Sequence, residues 1–316
     1  MARAAVDHSI GKATHHFKWD NSLPPAVEIE TGDVVHFETE EVTAGQLKKG
    51  DAASKLATLD FDRLYPLGGP VFVKGAKPGD ILEVEILKLE PGDWGWAAIL
   101  PGLGLLSDDF TEPYVRYFDL GGRKTAELRK DIQIPIAPFC GTMGVATDEP
   151  GPHDVLPPTK GAGNIDTRHL TAGTKLYLPV YVPGALFSAG DCHGAQGDGE
   201  VCVTGIECPM KFSLRFNAIK SRPLRPWSFQ FKTPAGPTQA RSDAAGYHAV
   251  CALGPDLMEN AKNAVRDTIS WLVADHGLSR EDAYILCSLA GDLKISQIVD
   301  RPNFGVSFYL SLAVFA

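Results

Sequence analysis

Short runs of alternating apolar and polar residues dominate the first two thirds of the chain. Residues 27–39 alternate on both sides of a Thr-Gly-Asp turn, and residues 71–87 alternate on both sides of a Pro-Gly turn. A period of two is typical of half-buried β-strands, and Gly, Pro and Asp are typical of the turns between them. We therefore expect each stretch to form a pair of neighbouring strands.

Further short apolar runs predict more strands at close spacing. They cover residues 132–136, 143–146, 175–182 and 201–207. Many short strands separated by turns favour sandwich or barrel-like architecture over alternating βαβ units. The first predicted region, residues 1–210, is therefore mainly β.

The C-terminal third has a helical period instead. Apolar residues recur every three or four positions over residues 256–276, and Gly277 follows as a helix terminator. Ser279 is then placed to cap a second helix, and an apolar run from Val306 returns to β. We expect residues 211–316 to form an α+β region that packs with the first region as one compact unit.

Composition excludes several partners. The 316 residues include 30 basic and 39 acidic ones, which gives a net charge of −9. This charge repels phosphate backbones and anionic lipid, so we expect neither nucleic acid nor a membrane as a partner. The first residues lack the apolar core of a secretory signal, and the six cysteines lack the paired spacing of a metal site. These features predict a cytoplasmic protein with small buried thiols.

The most unusual segment, residues 184–200, is rich in glycine and lies between two predicted strands. It carries four side chains that bind metals or move protons: Asp191, His193, Asp198 and Glu200. Residues i and i+2 share a side in an extended segment, which pairs the first two and the last two. A hairpin that brings both pairs together would suit Zn²⁺ or another divalent ion. The alternative is a solvated acidic turn.

A second polar cluster follows another glycine-rich loop. Asn164 and Asp166 stand two residues apart there, where they would either orient a substrate amide or form an ordinary turn. Gln196, in the first glycine-rich segment, is a further neutral group suited to an amide. The motifs of α/β-hydrolases, dinucleotide-binding folds and P-loop proteins do not occur in the sequence.

These motifs resemble those of the acetamidase/formamidase family. The likeness runs over nearly the whole length and is densest at residues 178–201, with further matches at residues 136–146 and 290–300. It implies a largely β, homo-oligomeric protein that hydrolyses short aliphatic amides to a carboxylate and ammonia. Alternatives are a hydrolase of a related C–N bond, such as a lactam or carbamoyl group, and a non-catalytic protein that binds a metal or small ligand.

The resemblance also implies a bound divalent metal, with Zn²⁺ expected, on Asp191, His193 and Glu200. A carboxylate that does not hold the metal would serve as the general base. Asp198 and Glu200 are both candidates for that role, and the sequence leaves the choice open. The glycine-rich segment further predicts a small pocket walled by glycine, which would favour acyl groups of one or two carbons.

Overall fold

The computed structural model describes residues 7–220, 224–235 and 245–315, in which β-strands are the main regular structure. The strands are β1 (Asp7–Ile10), β2 (His15–His16), β3 (Val27–Ile29), β4 (Val34–Thr39), β5 (Leu67–Val73), β6 (Ile81–Pro91), β7 (Trp94–Ile99), β8 (Tyr114–Asp119), β9 (Thr125–Arg129), β10 (Ile132–Pro135), β11 (Phe139–Val145), β12 (Ala162–Asn164), β13 (Lys175–Pro179), β14 (Phe187–His193), β15 (Met210–Ile219), β16 (Gln230–Lys232), β17 (Tyr247–Gly254), β18 (Gly291–Gln297) and β19 (Phe304–Ser311). The α-helices are α1 (Leu257–His276) and α2 (Arg280–Ala290), and short 3₁₀ turns cover Ala53–Thr58, Phe61–Arg63 and Leu312–Val314. The prediction of a mainly β chain with an α+β C-terminal part is confirmed.

Two six-stranded sheets form the body of the molecule. The first has the strand order β1-β4-β15-β6-β13-β16, and the second has the order β12-β11-β14-β5-β2, with β3 also paired to β5. Neither order returns to its first strand, so among the described strands these sheets are open and not closed barrels. They pack face to face, with the rings of Phe187 and Phe216 in edge contact at 5.1 Å. This arrangement is a sandwich.

The two strand pairs predicted from alternation do not form as pairs. The strands themselves are present, but β3 pairs with β5 in the second sheet while β4 pairs with β1 and β15 in the first. Likewise β5 belongs to the second sheet and β6 to the first. Each turn therefore carries the chain across the sandwich. Alternation indicates a strand with one buried face, but it does not identify the neighbouring strand.

The strand predicted over residues 201–207 is wrong. This segment is a buried loop with left-handed backbone at Val203, where φ is 77°. Its backbone bonds to side chains as well as to other strands; the N–H of Cys202, for example, donates to Oγ of Ser288 over 3.2 Å. A run of buried apolar residues has the same composition in a packed loop as in a buried strand.

The C-terminal helices begin and end where the sequence predicts. The side chain of Asp256 caps α1, Gly277 ends it with φ of 61°, and the side chain of Ser279 caps α2. Both helices accompany a three-stranded sheet of order β17-β19-β18. Strand β15 still lies within the first sheet, and the division at residue 210 stays a prediction. No helix among the described residues is both long and apolar enough to cross a membrane.

Candidate active site

Strand β14 carries two of the predicted metal ligands into the interior. Asp191 and His193 are 2% and 1% exposed. Oδ1 of Asp191 lies 3.4 Å from Nε2 of His193. The backbone of Asp191 is left-handed, with φ of 51°, which costs a non-glycine residue free energy that the surrounding structure must offset. The structure thus brings the predicted pair together on an irregular stretch of strand.

Glu207 joins this pair, although the sequence pattern did not single it out. It is 3% exposed, and its Oε2 lies 3.2 Å from Nε2 of His193. The backbone N–H of Gly205 donates to its Oε1 over 3.0 Å. A signal that could have found it is a lone carboxylate at the end of the apolar run of residues 201–206, because a charge so placed needs a buried partner.

Two more carboxylates complete the group. Oδ1 of Asp166 lies 4.0 Å from Nδ1 of His193. Two groups of three residues each offer ligand atoms that lie within 4.8 Å of one another. The first group is Asp166, Asp191 and His193, and the second is His193, Glu200 and Glu207. We refer to these five residues as the acidic cluster.

Burial and mutual repulsion shift the protonation of the acidic cluster. Burial, followed by the charge of Asp191, raises the pKa of Asp166 to about 8. Burial also raises the pKa of Glu207 to about 7 and that of Glu200 well above its ordinary value. Burial alone would lower the pKa of His193, but the carboxylates of Glu207 and Asp191 outweigh it, and the pKa rises. The acidic cluster therefore favours an added positive charge.

Two oxygens of the acidic cluster lack partners. Among the described residues, Oδ1 of Asp166 and Oε2 of Glu207 are buried but accept no hydrogen bond. Leaving a buried polar group unpaired costs about 1–3 kcal/mol, and more for a charged one. One imidazole nitrogen with several carboxylate oxygens is a donor set that suits Zn²⁺ and similar divalent ions. The residues present therefore fit a divalent cation.

Gln196 orients the imidazole of His193. Its Nε2 donates to the backbone carbonyl of Asp166 over 2.9 Å, so its Oε1 must face Nδ1 of His193, 2.8 Å away. Nδ1 then carries the proton, and in the neutral ring the lone pair of Nε2 is directed at the carboxylates. Gln196 is not among the residues that line the cavity described below, so the structure supports this orienting role, and its contact with substrate stays a prediction.

The structure does not bring Asp198 to the acidic cluster. Its Oδ2 lies 3.8 Å from Nε2 of His169, and its backbone N–H donates to Oδ1 of Asp292 over 3.2 Å. Glu200 has a left-handed backbone, with φ of 41°, so Asp198 and Glu200 do not share a side as they would in an extended strand. Of the two candidate bases, Glu200 lines the cavity described below.

Asn164 lies at the edge of the acidic cluster, in β12. Oγ1 of Thr142 is 3.0 Å from Oδ1 of Asn164 and 3.2 Å from Oδ2 of Asp191. The amide nitrogen of Asn164 donates to the backbone carbonyl of Leu156 over 3.0 Å. Asn164 and Asp166 both line the cavity, so contact of these two residues with a substrate stays a prediction.

The loop that carries Glu200 is held by the C-terminal region. The N–H of Gly197 donates to the carbonyl of Ser288 over 2.7 Å, and the hydroxyl of Tyr284 donates to the carbonyl of Val201. The N–H of Leu293 donates to the carbonyl of Asp198 over 2.9 Å. Helix α2 and strand β18 therefore set the position of this loop.

A cavity of about 300 Å³ is lined by all five members of the acidic cluster. Tyr65 lines it too, with an unusual φ of 59° for a bulky residue. Burial, followed by the charge of Asp191, raises the pKa of Tyr65 well above its ordinary value. The phenol therefore stays protonated and is able to donate a hydrogen bond within the cavity.

Several known proteins are similar to this chain in fold and sequence. A putative formamidase of Schizosaccharomyces pombe is 29% identical over 65% of this chain, and the chain covers 64% of that relative, just under two thirds. The structure of an acetamidase from Bacillus halodurans is 33% identical, with a TM-score of 0.67 and coverage of 96% of this chain and 97% of that one. A γ-lactamase from Delftia acidovorans has the same fold, with a TM-score of 0.86, 24% identity and coverage of 96% and 90%.

The family model agrees with these likenesses over the length of the chain. The model of the acetamidase/formamidase family matches residues 5–154 and 151–316, which include every member of the acidic cluster. This match shows that the chain belongs to the acetamidase/formamidase family.

Proposed function

We propose that this protein hydrolyses the C–N bond of small primary amides, including short aliphatic ones, to a carboxylate and ammonia with the help of a divalent cation. The observation that carries the proposal is the pair of buried, unpartnered carboxylate oxygens beside His193 in the cavity. Membership of the acetamidase/formamidase family supports the reaction class.

Asp191, His193 and Glu207 would form the buried part of the cation site, with Asp166 beside them. A divalent ion there, with Zn²⁺ the expected one, would supply a more acidic water and polarise the amide carbonyl. Gln196 supports this role, because an acceptor on Nδ1 leaves Nε2 of His193 free to face the ion.

Glu200 is the proposed proton carrier. It is half-buried and lines the cavity, and no hydrogen bond within the described residues engages its carboxylate. The carboxylate would take a proton from the attacking water and deliver it to the departing nitrogen. Tyr65 and Asn164, on the cavity wall, would donate hydrogen bonds to the substrate carbonyl and hold the amide plane.

Ammonia release from formamide, acetamide and propionamide tests the proposal, measured on the purified protein before and after chelation and after Zn²⁺ is restored. We expect turnover that chelation abolishes and metal restores. Turnover that survives complete chelation would contradict the metal role and retain the reaction class. Stoichiometric metal without turnover of any amide would favour the non-catalytic alternative, and turnover of lactams alone would favour the related-bond alternative.

We also propose a cytoplasmic location and a homo-oligomeric assembly, as the sequence predicts. Five of the six free cysteines are buried, which suits a reducing compartment. Fractionation of cells and light scattering of the purified protein test the two proposals.

A further inference from the structure

We propose that the preferred substrate is a neutral primary amide whose acyl group carries an aromatic ring, with phenylacetamide as the model compound. This inference rests on the proposed amide hydrolysis and concerns the same cavity. It replaces the sequence-based expectation of one- or two-carbon acyl groups.

The size of the cavity is the first reason. Its volume is about 300 Å³. An apolar cavity of about 150 Å³ holds a benzene molecule, and one water occupies about 30 Å³ of liquid. Acetamide would leave most of this space filled with water, whereas a ring and an adjoining amide group together match it.

The chemistry of the wall is the second reason. The predicted glycine wall is wrong, because the cavity is lined by side chains and no glycine is among its lining residues. Val42, Leu64, Leu100 and Val155 contribute apolar surface, while the carboxylates belong to the acidic cluster. An apolar wall beside a compact polar group is the usual design of a site that binds an apolar ligand and orients one polar group.

Aromatic side chains favour a ring over a flexible chain. Trp96 and Tyr65 line the cavity, and Phe17 and Phe61 do so as well. Trp96 is 2% exposed and its Nε1 donates to Oε2 of Glu41 over 3.0 Å, which fixes the indole. Aromatic pairs stabilise one another beyond the area that they bury, and a rigid ring loses less entropy on binding than an alkyl chain.

The charges at the cavity favour a neutral substrate over an anionic one. Nζ of Lys18 lies 2.6 Å from Oδ1 of Asp154 and 3.7 Å from Oδ1 of Asp62, and all three residues line the cavity. The lysine is therefore already paired with carboxylates. A carboxylate on the acyl group of the substrate would have to compete with both of them for the lysine, so an uncharged ring is the better fit than an anionic one.

The experiment compares kcat/KM for phenylacetamide, hexanamide and acetamide. One well-fitted methylene in an apolar pocket is worth about 10–200-fold in kcat/KM, so phenylacetamide should exceed acetamide at least about tenfold. It should also exceed hexanamide. Acetamide turned over as fast as phenylacetamide, or faster, would overturn the inference and leave the proposed function intact.

A protein that hydrolyses no amide would contradict the proposed function, and binding would then decide the inference. Calorimetric titration of the wild-type protein with phenylacetamide and with acetamide supplies the two dissociation constants. At least tenfold tighter binding of phenylacetamide supports a ring-binding cavity, and equal or weaker binding overturns it.

Two variants test whether the ring binds in this cavity. Leu64→Trp fills part of the wall and should lower the ratio of phenylacetamide to acetamide kcat/KM at least about tenfold. The control Leu253→Trp adds the same bulk at a residue of β17 that is 74% exposed and outside the cavity lining, and it should leave the ratio unchanged. An unchanged ratio in Leu64→Trp would overturn the placement.

If Leu64→Trp does not fold, Leu156→Ala decides the same question. Leu156 lines the cavity and is 46% exposed, so its truncation does not endanger the fold. It should lower the ratio severalfold through lost contact, and Leu253→Ala is its matched control. Equal ratios in these two variants would overturn the placement.

Discussion

Glu207 shows how a single side chain can decide the chemistry of a site. Its carboxylate is nearly inaccessible and lies against His193, but only one of its two oxygens accepts a hydrogen bond. A buried carboxylate surrounded by other carboxylates is unfavourable unless a positive charge balances it. Asp191 and Asp166 lie beside the same imidazole, so a single His193 ring faces several carboxyl groups. We therefore propose Glu207 as a ligand of the divalent cation.

We expect Glu207→Gln to weaken metal binding strongly and to lose most turnover. A ligand at 100 times its dissociation constant stabilises a protein by about 2.7 kcal/mol, and this metal-dependent increment should shrink in the variant. The free energy of unfolding of the metal-free protein should not fall, since the substitution removes one of several like charges. Metal analysis and denaturant unfolding with and without Zn²⁺ measure both effects.

Glu112→Gln is the control for this variant, because Glu112 is exposed and outside the cavity lining. It should bind metal as the wild type does. A Glu207→Gln protein that retains one metal per chain with unchanged affinity would remove Glu207 from the cation site.

Glu200 and Asp198 should behave differently, although they are two residues apart. Glu200→Gln should lower kcat by about 10²–10⁴-fold, the usual contribution of a general acid or base. Asp198→Asn should lower kcat less than about threefold, because Asp198 faces His169 and Asn can keep the same turn. Turnover of both variants, normalised to bound metal, checks the assignment. A large loss in Asp198→Asn would restore it as the proton carrier.

At the scale of elements, the loop of residues 194–203 depends on α2 and β18 for its shape. Its backbone groups bond to Ser288 and Tyr284 of α2 and to Leu293 of β18. A Cβ on Gly197 would lie 1.8 Å from the carbonyl oxygen of Gly291. Gly197 therefore allows two backbones to approach closely, and no glycine lines the cavity.

Gly197→Ala should consequently displace the loop and reduce both stability and turnover. Overpacking a well-packed interior typically costs about 1–3 kcal/mol, and here the obstacle is rigid backbone. Because Glu200 lies on the same loop, kcat should fall more than global stability alone explains. Gly11→Ala is the matched control, since a Cβ there meets nothing within 4 Å. Unfolding curves and amide turnover of both variants measure these effects. Equal stability and equal turnover of the two variants would contradict the prediction.

At the scale of the whole molecule, a buried ion pair joins the sandwich to the C-terminal region. Arg168 follows β12 and pairs with Asp292 of β18, and their side chains are 12% and 4% exposed. Oδ1 of Asp292 also accepts from the backbone N–H of Asp198. One carboxylate thus connects both regions to the loop of the site.

Removing one partner of this pair should be costly. Arg168→Met leaves Asp292 buried without its counter-charge, which typically costs about 3–5 kcal/mol. The double variant Arg168→Met/Asp292→Leu should lose less than the sum of its single variants. Lys88→Met breaks an exposed pair with Glu90 and should cost less than about 1 kcal/mol. Denaturant unfolding measures all four proteins, and an Arg168→Met cost no larger than that of Lys88→Met would contradict the prediction.

The elements themselves follow from short-range patterns. Period-two alternation predicted strands such as β4 and β6, and the apolar stripe with its terminator at Gly277 and the cap at Ser279 predicted α1 and α2. These signals depend on neighbours in sequence, because a strand exposes alternate residues and a helix end needs a nearby acceptor. The same reasoning from local sequence failed for residues 201–207, because this buried apolar run does not pair regularly with neighbouring strands and forms a loop.

The sequence by itself determined the mainly β class, the two helices, the family and the proximity of Asp191 to His193, since each depends on residues close together in the chain. Only the tertiary structure decided which strands are neighbours, that Glu207 and Asp166 belong to the acidic cluster, and that Asp198 lies outside it. It also decided the apolar wall, to which residues as distant as Phe17 and Val203 contribute. The physical reason is that burial and charge balance arise from contacts between distant residues, and no local period records those contacts.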